Sequence, residues 1–251
     1  MIVNRHRQII RTYSQRLHSL LQGSATTIEH GYLYGQKISA RDLVRSDHRY
    51  WSKKELGVAV PEINVLLLID GSGSMMGSRA EAAKDTAIIL HEVFKNNQLR
   101  HAVVDYRAEP SMFINENDYL EDDLDWQAEI NILIDFDARP EQESNLLKIN
   151  GDGGTPSAET LLWSLKYLRV ENDQQTFILM ITDGLVDPDD LAAVVRYANR
   201  HGVTVIGIAI DQPGSDQIYQ IVHGIFPHTI QVTDLQKMPQ QILKLINQLL
   251  Q

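Results

Sequence analysis

Apolar positions along this chain change period several times, and each change predicts an element. Over residues 3–22, Ile9, Ile10, Tyr13, Leu17, Leu20 and Leu21 fall near helical spacing, and Gly23-Ser24 ends the run. Residues 25–39 keep no clear period, and Ser39 is placed to cap a short helix over 40–45. From Ile63 the pattern alternates, and Val65-Leu66-Leu67-Leu68-Ile69 is an unbroken apolar run. Such a run suits a strand buried on both faces. Ala80, Ala83, Ala87, Ile88 and Leu90 then predict a helix ending near Lys95. Residues 101–106 read as a strand, and 111–114 as another, close enough to be its hairpin partner. Helical segments are expected at about 125–135 and 141–148. A helix over 156–168 has Pro156 at its first position and Thr155 at its cap. A strand runs through 177–182 to Asp183, then a helix over 188–200 and a strand over 203–210. A helix near 215–222, a short strand near 228–232 and a final helix over about 236–250 complete the pattern.

This alternation predicts an α/β fold, a doubly wound, mostly parallel six-stranded sheet with helices on both faces. One antiparallel edge strand comes from the early hairpin. Residues 1–60 form a basic, partly helical N-terminal extension, and 61–251 the main domain, joined by a linker over 57–61.

Charge sharpens the division. The net charge of −10 conceals ten basic and four acidic residues over 1–57, leaving 13 basic and 29 acidic residues beyond. An acidic main domain argues against nucleic acid as its partner. The basic extension either lies against an acidic surface or is a solvated arm. His48-Arg49-Tyr50-Trp51 with Lys53 and Lys54 has the composition of a base-stacking cluster, but packing on the main domain or on a partner is the favoured expectation. The acidic stretch 115–125 lacks the spacing of an EF-hand and reads as a loop. The chain has no cysteine, so disulfides and thiolate metal sites are excluded. No apolar run approaches the ~20 residues of a membrane helix. Residues 1–16 are polar and basic rather than signal-like, which makes a cytoplasmic location the expectation.

The candidate chemistry sits where the apolar strand ends. Asp70-Gly71-Ser72-Gly73-Ser74 places one carboxylate and two hydroxyls beyond a strand's carboxyl end, where open α/β sheets bind ligands. An all-oxygen set suits hard cations such as Mg²⁺, Mn²⁺ or Ca²⁺. The bland alternative is a tight turn that caps the next helix. Enzyme readings fit poorly. The glycine spacing is not that of a dinucleotide loop, and there is no Walker lysine and no nucleophile elbow. His91-Glu92 lacks the second histidine of a zinc-protease helix, since position 95 is Lys, and the nine histidines read as dispersed surface or core residues. Asp70 resembles a haloacid dehalogenase nucleophile, but Ser72 stands where those enzymes carry a second Asp.

The Asp-x-Ser-x-Ser run resembles the metal-ion-dependent adhesion site of von Willebrand factor A domains. That family adds a Thr from a later loop and an Asp after a further strand; Thr155 in Gly151-Asp152-Gly153-Gly154-Thr155-Pro156 and Asp183 match them in chain order. The resemblance implies a metal held by Asp70, Ser72, Ser74, Thr155 and Asp183, with a coordination position open to a partner's Asp or Glu. Asp152 is read as a turn residue or an outer hydrogen-bond acceptor. The resemblance implies no catalysis by this chain. Segments 30–32, 38–43 and 49–51 are similar to intracellular bacterial A-domain proteins, which work with AAA+ ATPases of the MoxR type or within metal chelatases. The expected function is a metal-dependent docking module for an AAA+ partner. The alternative is a non-catalytic subunit of a chelatase that inserts cobalt or magnesium into a tetrapyrrole.

Overall fold

A computed structural model of the chain describes residues 5–24, 26–56, 62–110, 126–168, 174–183, 188–211 and 214–249. Helix α1 (Arg7–Ser24) carries the first apolar stripe. Its Ile10 and Leu17 are buried in the same core as the central sheet, so this helix is part of the domain's packing and not a free arm. Next come β1 (Thr26–Tyr32), β2 (Lys37–Ile38) and β3 (Trp51–Leu56), an antiparallel sheet in the order β1-β3-β2. It occupies a region with no clear period because its pairing is between distant segments, Thr26 opposite Leu56 and Lys37 opposite Ser52. Ser39 precedes only a single 3₁₀ turn, Ala40–Asp42, and its side chain makes no cap bond. The basic and aromatic residues are used internally: Lys53 Nζ lies 4.4 Å from the Tyr32 ring centroid and 4.9 Å from that of Tyr34.

The main sheet follows. Strand β4 (Glu62–Asp70) leads through a loop to α2 (Ser78–Asn96), and β5 (Arg100–Pro110) pairs parallel beside it. Then come β6 (Trp126–Ile134), α3 (Ser157–Leu168), β7 (Gln174–Thr182), α4 (Pro188–Arg200) and β8 (Val203–Ile210). Helix α5 (Gln217–Ile225), β9 (His228–Val232) and α6 (Met238–Leu249) close the chain. The order β6-β5-β4-β7-β8-β9 puts β4 inside the sheet, every pairing being parallel except β5 with β6. Val65, Leu67 and Ile69 of β4 point to a core shared with α1, α2 and α6, while Leu66 and Leu68 point to one shared with α3, α4 and α5. An apolar strand without alternation is what burial on both faces requires.

The helix expected over 125–135 is instead strand β6, the antiparallel edge. Ala128, Ile130, Ile132 and Ile134 recur every second residue, and β-branched side chains at that period favour a pleated surface. The strand expected at 111–114 and the acidic stretch 115–125 lie outside the described residues. The helix expected over 141–148 is a 3₁₀ run, Pro140–Lys148.

Candidate metal centre

Strands β4 and β7 run side by side in the same direction, with Ile69 opposite Ile181. Their carboxyl ends therefore deliver Asp70 and Asp183 to one edge of the sheet. Beyond Asp70, Ser72 precedes a 3₁₀ turn, Gly73–Met75, and Gly77 (φ 80°) turns the chain into α2. Main-chain bonds stitch this loop to its neighbours. Gly71 N donates to Tyr106 O at 2.8 Å, Gly73 N to Gly153 O at 2.9 Å, and Asp152 N to Gly71 O at 2.6 Å. Gly151 sits in the seam: a Cβ there would lie 2.5 Å from Met76 N and 2.8 Å from Ser72 O. Gly153 adopts φ 93°, a conformation that only glycine holds cheaply.

Side chains complete the edge. Asp70 Oδ1 accepts from Ser72 N at 2.9 Å, and Oδ2 accepts from Thr182 Oγ1 at 2.6 Å. Ser72 Oγ and Ser74 Oγ are 3.0 Å apart, and Ser74 Oγ donates to Asp183 Oδ1 at 2.6 Å. Arg79 Nη1, on the second residue of α2, donates to Asp183 Oδ2 and, at 2.9 Å, to Ser74 O. Four of the five candidate ligands are thus one connected group. Thr155 stands half-buried on the neighbouring loop, two residues past Gly153, and its hydroxyl joins none of the four by a hydrogen bond. Asp152 is exposed, its main chain holding the seam.

The electrostatics fit a cation. Asp70, Ser72 and Asp183 are nearly closed to solvent, at 1%, 2% and 6% exposure. Burial pushes the Asp70 carboxyl up to about 6; the charge of Asp183 adds to the rise, and hydrogen bonds from Thr182 and Ser72 oppose it. Behind it, the Tyr106 hydroxyl is raised well above its ordinary range, first by burial and then by the charge on Asp70. The Ser157 and Thr182 hydroxyls beside it oppose that rise. Two carboxylates, two serine hydroxyls and the threonine beside them are hard oxygen donors, the set a magnesium-like ion takes. The chain itself already places one cation there, the Arg79 guanidinium on Asp183. Arg79 and Thr182 were absent from the sequence-based set. Nothing in local spacing marks them, because each acts on a partner more than 100 positions away.

An open α/β sheet with an oxygen-lined crest at the carboxyl ends of adjacent strands defines a ligand-binding class rather than a chemistry. A family model for the von Willebrand factor type A domain matches residues 64–244, and the chain belongs to that family. Its members are commonly protein-interaction modules. A comparison with curated protein sequences found no match. Among solved structures, the chain is similar to BatB from Bacteroides thetaiotaomicron, at 16% identity over 73% of this chain and 98% of that one, TM-score 0.51. It also resembles a von Willebrand factor type A protein from Catenulispora acidiphila, at 13% identity over 89% and 49% of the two chains, TM-score 0.52. The pilus adhesin SpaC from Lactobacillus rhamnosus GG, in its open conformation, is 13% identical over 76% of this chain and 30% of its own, TM-score 0.55. At such identities the likeness is one of fold.

Proposed function

We propose that this domain docks a partner protein through a divalent cation. Asp70, Ser72, Ser74, Thr155 and Asp183 would hold Mg²⁺, with Mn²⁺ or Ca²⁺ able to take its place. The observation that carries the reading is the buried, hydrogen-bonded group of Asp70, Ser72, Ser74 and Asp183 at one sheet edge. The serine and threonine donors are neutral, so they leave the cation's charge partly uncompensated and attractive to a further carboxylate. The ion would supply that electrostatic bridge. The chain's own residues orient the oxygens and keep bulk water from the buried side. The partner in this reading presents an exposed Asp or Glu and is an AAA+ ATPase, in a cytoplasmic setting, and this chain carries out no catalysis.

Titration with Mn²⁺ followed by electron paramagnetic resonance tests the site, and capture of an ATPase from the source cell's lysate tests the partner. Wild type should bind one ion that Asp70→Ala loses. The ATPase should be retained in Mg²⁺, and released by EDTA or by Asp70→Ala. Equal retention in all conditions would remove the metal from the docking reaction.

A further inference from the structure

A second group of metal-ligating side chains lies on the α2 face of the sheet, away from the crest. The sequence reads as having dispersed histidines, on the surface or in the core; the fold brings the His91 and His101 rings together, His91 Nδ1 to His101 Nε2 at 2.8 Å. The protons on this pair can be placed from their partners. His101 Nδ1 is 2.8 Å from the Leu99 carbonyl, which can only accept, so Nδ1 carries the proton. His101 Nε2 is then an acceptor, and His91 Nδ1 donates to it. That leaves His91 Nε2 with a bare lone pair.

The lone pair has nothing to bond to. Nε2 is buried and has no hydrogen-bond partner among the described residues, on a side chain 6% exposed. It faces Glu143 Oε1 at 3.7 Å, a lone pair opposite a carboxylate. That gap is too long for a hydrogen bond. It is close to the separation of about 3.4 Å between two ligands sharing a tetrahedral zinc at ~2.0–2.1 Å each. Glu92, next along α2, brings a third ligand atom, and the three lie within 4.8 Å of one another. A cavity of about 360 Å³ opens beside His91 and Glu143, lined also by Lys95, Asp135, Phe136 and Arg139.

We propose that His91 Nε2, Glu92 and Glu143 form a second cation site, selective for zinc-like transition metals and separate from the oxygen site at the crest. An imidazole with two carboxylates suits Zn²⁺ better than Mg²⁺, and three protein ligands leave a fourth position for water. His101 is a positioning residue: both its nitrogens are committed, and its bond to His91 Nδ1 fixes the tautomer that leaves Nε2 unprotonated toward Glu143. Burial holds both imidazoles below their ordinary range, His91 at about 4, so each stays neutral near pH 7 as metal ligation requires. Lys95 Nζ, on an exposed side chain, now pairs with Glu143 Oε1 and is the cation that zinc must displace.

The test is zinc titration by calorimetry in an Asp70→Ala background, which silences the crest site. That protein should bind one Zn²⁺ and ignore Mg²⁺. Adding His91→Asn or Glu143→Gln should weaken zinc by more than about 100-fold, since each removes a ligand, and His101→Phe by roughly 10–100-fold, the range for a group that orients a ligand. Lys95→Met should tighten it, an effect that loss of a structural ion pair does not give. In long-range ¹⁵N spectra, zinc should shift His91 Nε2. If His91→Asn does not fold, Glu143→Gln and the Nε2 shift decide the matter. Absence of zinc binding in Asp70→Ala, binding undiminished by Glu143→Gln, or an unmoved Nε2 resonance would each overturn the proposal.

Discussion

Arg79 and Asp183 are paired across the crest of the sheet, the guanidinium on α2 closing over a carboxylate whose own side chain is fully buried. The same Nη1 also holds the Ser74 carbonyl at 2.9 Å. One side chain thus occupies the surroundings of two candidate ligands, and a metal entering there must share them with an internal positive charge. Arg79→Met should therefore raise Mn²⁺ affinity, by roughly tenfold if one charge-assisted hydrogen bond is what the ion competes with. In EDTA the same variant should lose on the order of 2 kcal/mol, because Asp183 Oδ2 is left buried without its donor while Oδ1 keeps Ser74. Paired titrations and chemical denaturation check both signs; unchanged metal affinity would mean that the guanidinium and the ion do not compete.

Asp70 makes stability depend on pH in a defined direction. The folded carboxyl is raised from 3.8 to about 6, so the folded state holds the extra proton between those values. Its contribution is fully present below pH 3.8 and is lost as pH rises through 6. His91 opposes it, since its lowered value of about 4 against 6.5 gives stability present above 6.5 and lost as pH falls through 4. The Asp70 term is isolated by comparison with Asp70→Asn in EDTA. The variant should match wild type near pH 4 and exceed it by about 3 kcal/mol at pH 7. Excess Mg²⁺ should reverse the order at pH 7, by mass action on wild type alone.

Gly151→Ala tests the seam between the two loops. The added methyl would meet Met76 N at 2.5 Å and Met75 C and Ser72 O at 2.8 Å, all main-chain atoms with little room to yield. We expect a loss of roughly 1–3 kcal/mol. We also expect weaker Mn²⁺ binding, because the 151–155 loop carries Thr155 away with it. Full affinity in this variant would show that Thr155 is not a ligand.

Leu17→Ala tests how α1 is joined to the rest. Leu17 is fully buried among residues of the main core. The truncation should cost roughly 2–5 kcal/mol in a single cooperative transition. A separate early transition would mean that α1 unfolds on its own.

Much of this was legible in the sequence, and the failures have physical causes. Strand β4 and its acidic end stood out because burial on both faces suppresses alternation, and Asp70, Ser72 and Ser74 lie within one short loop. The helix expected at about 125–135 is the strand 126–134, in which Ala128, Ile130, Ile132 and Ile134 carry a two-residue period. Polar Glu129 and Asn131 between them fit an amphipathic helix nearly as well over so short a window. Strands β1 and β3 gave no signal because their pairing is settled by a partner some 25 positions away. Arg79 on Asp183, Thr182 on Asp70 and His91 on His101 are contacts that only the assembled fold makes, through pairings of separate elements.

The stitching of Gly71, Gly73 and Asp152 to Tyr106, Gly153 and each other runs from main chain to main chain. Such bonds do not read side-chain identity. The exposed side chains around them, Met76 and Asp152 among them, are free to change without disturbing the cradle beneath. The frame and the rim can therefore evolve on separate schedules. A lineage could exchange one binding partner for another by drifting at the rim, while the glycines and buried oxygens stay fixed.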